Sequence, residues 1–421
     1  MMLCKNCNHK INPIIKIGKQ PISSVFLDTK KKLKNYSLDL YECIKCKLVQ
    51  TSLDIKNKDM YGSTYGYRTS LSDFMIKHMK KKYQRIMNLN FLKKNSNVLD
   101  IGSNDGTFLN FFDGKNTNLY GIDPSAKKYK HFYNKKINLI VDYFSKKKIL
   151  KEFGNIKFSL ITSFAMFYDI SQPRKFCSEI YDLLDEKGLW ILEMSYFPAL
   201  LKNLTYDQIC HEHVTYYTLS TFKKIANFCK LQVIDYSFNE INGGSIEIVC
   251  SKKKLLNNKK NKKIIFLLNK EKEINFSNYN KFLNRLENSK KVLREYILNI
   301  KLLKKKIYGY GASTKGNIIL NYCGITNKEI PYICDANSYK YEKYTPGSNI
   351  KIVSKAFARK KNPKYFLVLI WSFRNEVIKQ EKNFIEKGGK LIFPLPIFHL
   401  VDKSNYKSFL NKNFESFSYE I

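Results

Sequence analysis

Acidic residues are few: 36 Asp and Glu stand against 74 Lys and Arg in 421 residues, a formal charge of +38. Arginine, the side chain that reads base edges, is scarce, the lysines are scattered among Asn and Ile, and no binding motif accompanies the charge. Nucleic acid is therefore not the expected partner, although a nucleotide diphosphate would be attracted by such a field. Long apolar runs are missing too. The densest, Tyr365 to Trp371, is strand-sized and far short of the roughly 20 residues that cross a bilayer. Met1 to Lys10 is polar and lacks the apolar core of a signal peptide, so the expectation is a cytoplasmic protein with no membrane attachment. No short-period repeat is visible, which excludes a solenoid.

What is present suffices for several cores. Apolar residues make up 44% and aromatics 14%, against global disorder, and the length predicts two or three domains. Of ten cysteines, four fall in two CxxC pairs, Cys4 with Cys7 and Cys43 with Cys46, about 35 residues apart. Two such knuckles can close a tetrahedron of thiolates around Zn²⁺. Four thiolates leave no open position for water, so the predicted role is structural, stapling a segment too small to make its own core.

Helical spacing runs from Ser70 to about Lys94. From about 95 to 250 short apolar runs alternate with helix-length segments, and a second alternation follows Lys306. Both predict α/β domains with parallel strands and crossover helices. The expected boundaries are 1–69 for the cysteine module, 70–251 for the first α/β domain with its connecting helix, 252–305 for a helical connector and 306–421 for the second α/β domain.

Val98 to Leu109 reads as strand, glycine turn and helix, with Asp100, Gly102, Ser103, Asn104, Asp105 and Gly106 at the turn. Glycines let a ligand approach the backbone, and acidic residues there favour a cation over a phosphate. S-adenosylmethionine (SAM), with its ammonium and sulfonium, suits that site better than NAD. Asp123 ends the next strand, where a carboxylate can accept from both ribose hydroxyls, and Asp142 follows the strand after, within reach of adenine.

His211, Glu212 and His213 gather two of the six histidines beside a carboxylate. Such a histidine can remove a carbon-bound proton next to a ketone, while Glu212 can orient a substrate hydroxyl; a second metal site is the rival reading. Gly243, Gly244 and Ser245 form a turn that either passes a ligand closely or is a plain hairpin. Tyr65 and Tyr67, ahead of Ser70, offer phenols that could bind hydroxyls or stabilise an enolate. Gly309, Gly311 and Gly316 with Lys315, and Asp335 nineteen residues on, make an imperfect dinucleotide fingerprint that invites NADP or a nucleotide-sugar diphosphate.

In this order the motifs resemble the TDP-sugar C-3-methyltransferase family, nucleotide-sugar C-methyltransferases that act on keto-deoxysugars. The resemblance runs from the paired CxxC module through Tyr65 to Ser70, Leu99 to Leu109, Gly121 to Ser125, His211 to Tyr217, Gly243 to Ser245, Gly309 to Tyr322, Pro346-Gly347, and Trp371 with Glu376. It implies a zinc-binding N-terminal module, a central class I methyltransferase Rossmann-like domain and a C-terminal Rossmann-like domain that helps hold the sugar nucleotide, TDP- or GDP-linked. It also implies His213 as base, Glu212 on the sugar, Tyr65 or Tyr67 as the active-site phenol, Ser70 and Lys315 at the substrate, and a branched sugar for surface polysaccharide or a secondary metabolite. The expected assembly is a monomer or weak homo-oligomer. One position departs: Cys210 stands where family members commonly carry Tyr, so either Tyr216 takes over or the substrate differs. An NADP-dependent nucleotide-sugar oxidoreductase and a sugar O-methyltransferase are the alternatives.

Overall fold

The computed structural model describes residues 2–52, 67–114, 116–253 and 258–410. The central sheet has seven strands in the spatial order Gln232–Asn239, Ser245–Ser251, Leu184–Ser195, Phe158–Phe164, Ser96–Ile101, Thr117–Ile122 and Ile137–Ile140. Ser245–Ser251 is antiparallel to both neighbours, and the others run one way. The chain leaves Ser96–Ile101 on one side and returns at Phe158–Phe164 on the other. Their carboxyl ends therefore flank the switch point at which open α/β sheets take ligands.

The helix over this sheet is Asp73–Met87, shorter at both ends than the spacing predicts. Ser72 starts it, with extended backbone and an Oγ that accepts from the Met75 N–H. Its buried face carries Met75, Met79 and Ile86, and also Lys82, because carboxylates meet it from the sheet. Lys82 Nζ lies 2.6 Å from Glu193 and also pairs with Glu247, while His78 Nε2 lies 3.0 Å from Glu193.

The N-terminal module does not close on itself. Its antiparallel strands Ile11–Ile15, Leu40–Cys43 and Val49–Thr51 are joined by a fourth from far along the chain, Thr215–Tyr216, with Thr215 opposite Gln50 and Tyr216 opposite Val49. A separate hairpin pairs Lys19–Pro21 with Asn35–Ser37. The C-terminal sheet has the order Lys351–Ser354, Tyr332–Asp335, Ile307–Tyr310, Tyr365–Val368, Lys390–Phe393 and His399–Val401, all parallel except the last.

The expected connector is two helices, Asn258–Glu271 and Phe276–Leu302. The second, 27 residues and about 40 Å long, buries Tyr279, Phe282, Leu286, Leu293, Ile297 and Ile300. These belong to one continuous core with the C-terminal sheet and with Ile14, Leu40 and Val49 of the N-terminal module. The stretch is therefore a packing element and not a free linker. No helix among the described residues is long and apolar enough to cross a membrane.

Candidate active site

At the central switch point lies a cavity of about 230 Å³, lined by Asp100, Gly102, Ser103, Asn104, Asp123 and Ser125 on one side and Phe164, Met166, Asp169 and Ile170 on the other. Gly102 has φ +77, and a Cβ there would meet Met166 Cγ at 3.2 Å, so the turn needs glycine. Asp100 accepts from the Thr162 hydroxyl at 2.7 Å, and burial pushes its pKa to about 7, with the Asp123 charge adding to the rise. Asp123 accepts from the Asn104 N–H at 2.9 Å and from the Ser125 N–H and hydroxyl at 2.6 Å each. Two buried carboxylates on one cavity wall suit a cationic nucleoside.

Other predicted residues of this region sit elsewhere. Asp105 accepts from the Ser70 N–H at 2.9 Å and the Thr107 hydroxyl at 2.6 Å, and Asn104 Oδ1 accepts from the Thr69 N–H at 2.9 Å; together they clamp the segment before the helix onto the turn. A Cβ on Gly106 would meet the Tyr133 ring at 2.8 Å, so this glycine serves packing. Asp142 pairs with Lys148 at 2.7 Å and leaves the cavity wall to Tyr143 and Phe144. Tyr67 lines the cavity, and Tyr65 lies outside the described residues.

His211, Glu212 and His213 are all buried, in an irregular segment ahead of Thr215–Tyr216. The Ser23 N–H reaches His211 Nδ1 at 3.4 Å, with the Ser23 hydroxyl at 3.3 Å, and Nε2 lies 3.2 Å from the Gln20 carbonyl. Nδ1 is thus the acceptor and Nε2 the protonated nitrogen. Burial lowers the His211 pKa to about 4, and the neutral ring is fixed on the N-terminal hairpin. His213 is different: its ring lies 4.0 Å from that of Tyr168, and burial, aided by the Lys315 charge, lowers its pKa to about 3. Burial raises the Glu212 pKa, opposed by hydrogen bonding; Oε2 faces the Ser23 hydroxyl at 3.5 Å, and Oε1 finds no hydrogen-bond partner among the described residues. Cys210 is buried beside them.

One loop joins this cluster to the cavity. After Phe158–Phe164, Met166, Asp169 and Ile170 face the cavity. Between them the Tyr168 carbonyl accepts from the Val214 N–H at 3.0 Å and the Thr215 hydroxyl at 3.0 Å. The base candidate therefore stands against the back of the wall that would face a methyl donor.

Gly243 and Gly244 are packed: a Cβ on the first would meet Thr205 and Trp371, and one on the second Ala199 at 2.5 Å. Ser245 donates to the Ile241 carbonyl at 2.8 Å. The second glycine turn is closed as well. A Cβ on Gly311 would meet Ile370 at 2.6 Å, one on Gly316 would meet Leu369 at 2.7 Å, and Asp335 accepts from the turn's own Ala312 N–H at 2.8 Å. Lys315 is turned toward the first domain, its Nζ donating to Asn242 Oδ1. Trp371 Nε1 donates to Asp207 Oδ2 at 2.8 Å, and burial raises the Asp207 pKa to about 6.

The sulfurs of Cys4, Cys7, Cys43 and Cys46 all lie within 4.8 Å of one another, with Cys4–Cys46 and Cys7–Cys43 at 3.5 Å. That is too long for disulfides and close to the separation of about 3.8 Å in a tetrahedral zinc–thiolate site. The two knuckles match: Asn8 and Lys47, each just after the second cysteine, have positive φ, and their N–H groups bond the Cys4 and Cys43 carbonyls.

Asp169 and Tyr168 carry one sequence signal, their place just beyond the parallel strand Phe158–Phe164, and are absent from the expected site. So is Ser23, 188 residues from His211, for which no local signal exists.

A family model described as a methyltransferase domain matches residues 75–236, and one described as the C-methyltransferase C-terminal domain matches residues 240–396. The C-methyltransferase NovU from Streptomyces niveus is 27% identical over 401 residues, spanning 93% of this chain and 95% of its own. Among solved structures, the magnesium protoporphyrin IX methyltransferase from Synechocystis with bound SAH has a TM-score of 0.33 at 10% identity, over 42% of this chain and 83% of that one. A SAM-dependent methyltransferase from Clostridium acetobutylicum has a TM-score of 0.32 at 12% identity, over 41% of this chain and 91% of that one.

Proposed function

We infer, for a chain that is a SAM-dependent methyltransferase of class I fold with a C-methyltransferase C-terminal domain, that the acceptor is the carbon beside the ketone of a nucleotide-linked 4-keto-deoxysugar, C-3 first. A carbon is not a nucleophile until it loses a proton, so such an enzyme needs a base next to the methyl donor. The observation that carries the reading is the Tyr168 loop, which lines the cavity and holds His213.

SAM, when bound, supplies an electrophilic methyl group to the acceptor carbon. Asp100, Asp123 and the Gly102 turn hold it. His213, neutral in its buried site, takes the proton from the carbon beside the ketone. His211 has both nitrogens engaged by Ser23 and Gln20 and acts by positioning. Glu212 has a buried oxygen without a hydrogen-bond partner among the described residues, the acceptor for a sugar hydroxyl. Tyr67, at the cavity wall, is the phenol on the substrate side, with Tyr65 its alternative. Ser70 and the turn Gly243–Ser245 then shape the site through Asp105 and Trp371 and not by touching the sugar.

Zinc is the metal we assign to the four cysteines, as a closed structural site. Against an NADP-dependent oxidoreductase, Asp335 takes the Ala312 N–H of the fingerprint turn, one of the donors a pyrophosphate would need.

His213→Ala is expected to bind SAM as the native protein does and to lose methyl transfer by about 10²-fold or more. Unchanged turnover would take the base role from His213.

A further inference from the structure

We propose that Lys315 is a catalytic residue of this site, its ammonium hydrogen-bonding the ketone oxygen of the acceptor as negative charge develops there. The proposal rests on the ketone reading of the substrate.

Lys315 lies in the first turn of the helix Thr314–Tyr322, whose N-cap Ser313 accepts from the Gly316 N–H at 2.9 Å. That helix is tied to the surroundings of the His-Glu-His segment at two points. Asn317 Nδ2 donates to the Ser23 carbonyl at 2.7 Å, the same Ser23 that meets His211 Nδ1. Tyr206, in the turn just before the segment, reaches Cys323 Sγ at 3.6 Å. Asn317 thus ties the start of the helix, and Cys323 its far end, to residues that adjoin the cluster. In the glycine turn beside that helix, Ile370 and Leu369 pack against Gly311 and Gly316, and Asp335 takes the Ala312 N–H.

The ammonium is poorly satisfied by the protein. It donates to a neutral amide, Asn242 Oδ1, and enters no ion pair among the described residues. Asp207, Asp169, Glu212 and His213 lie within its electrostatic reach without closing on it. Lys82, buried under the central sheet's helix, is by contrast held between Glu193 and Glu247. Lys315 is half-buried, and a partly desolvated cation short of an anion favours a ligand that supplies one. Burial lowers the Lys315 pKa while the nearby carboxylates oppose the fall.

The charges balance through the step. The C–H bond breaks, its proton goes to His213, its electron pair forms the enolate double bond, and the carbonyl π electrons move to oxygen. In the resting site burial keeps His213 neutral, and the Lys315 charge adds to this. Once the enolate forms, the oxyanion lies between Lys315 and the new imidazolium and offsets both. The enolate π electrons form the bond to the methyl carbon as the methyl–sulfur bond of the donor breaks, its electron pair staying on the sulfur of the departing SAH; the carbonyl re-forms, Lys315 is released, and His213 returns its proton to solvent. Preorganised donors of this kind are worth roughly 10²- to 10³-fold in rate.

The test uses the full-length protein with SAH and TDP- and GDP-4-keto-6-deoxyglucose carrying deuterium beside the ketone, and reads deuterium washout without methyl transfer. Lys315→Met is expected to slow washout by about 10²-fold or more, Lys315→Arg to recover part of it, and both to bind SAM, TDP and GDP as tightly as the native protein. If Lys315→Met does not bind SAM, Lys315→Gln, which keeps a donor for Asn242, takes its place in the comparison. Washout at the native rate overturns the proposal. So does native washout combined with weakened TDP or GDP binding, which would make Lys315 a phosphate ligand. If the native protein washes out deuterium from neither sugar, the ketone reading falls and this proposal with it.

Discussion

His211 and His213 are two residues apart and both buried, yet their surroundings give them separate work. His211 spends both nitrogens on the N-terminal hairpin, so it cannot accept a proton without breaking a contact. Both have folded pKa values below the ordinary 6.5, so the unfolded chain binds protons first as pH falls. Their stabilising contribution is complete above about 6.5 and is lost as pH falls toward 4 and 3. His213 alone is worth about 2 kcal/mol of that loss between pH 7 and 5. His213→Gln should therefore lose less stability than the native protein over that interval in denaturant melts; parallel curves would contradict the assigned burial. The Asp100 carboxyl, raised to about 7, makes the opposite kind of claim about ligand. A cation favours its ionised form, so SAM affinity should rise as pH climbs through 7, and Asp100→Asn should bind weakly with little pH dependence. A flat native profile in calorimetry between pH 5.5 and 8 would refute this. The His-Glu-His run and the glycine turn were legible because they are short in sequence. Ser23 was not, because its partner is set by tertiary packing alone.

At the scale of elements, the four-stranded N-terminal sheet matters most, since its last strand, Thr215–Tyr216, begins two residues after His213. The second cysteine knuckle, Cys43 to Cys46, ends the strand Leu40–Cys43 and leads into Val49–Thr51, which pairs with Thr215–Tyr216. A metal bound there would steady the catalytic segment as well as the module. Stripping the metal with a chelator, or Cys43→Ser, should abolish methyl transfer while leaving SAM affinity within about threefold, because the central cavity rests on other strands. Loss of both together would mean that the module supports the whole fold and not the segment. The sequence showed the CxxC spacing but not this pairing: a two-residue strand has no periodicity of its own. The connector's helical character was legible from its apolar periodicity, but the sheet and module that its stripe packs on along Phe276–Leu302 were not, since they lie far away in the chain.

Across the whole molecule, the N-terminal module, the long helix and the C-terminal sheet share one core, and Trp371 of the C-terminal domain donates to Asp207 of the first. Trp371→Phe leaves that carboxylate without its donor and is expected to cost about 1–3 kcal/mol in stability, with methyl transfer reduced and SAM affinity kept. The alternation of strands and helices made both α/β domains visible in the sequence. Their joint was not visible, because it consists of single side chains far apart in the chain. The measurement that tests the central claim most directly is mass spectrometry of the product formed from methyl-labelled SAM and nucleotide 4-keto sugars deuterated beside the ketone. A product that gains one labelled methyl and loses that deuterium is the predicted result; methyl gain with the deuterium retained would mean transfer to oxygen and would contradict the account.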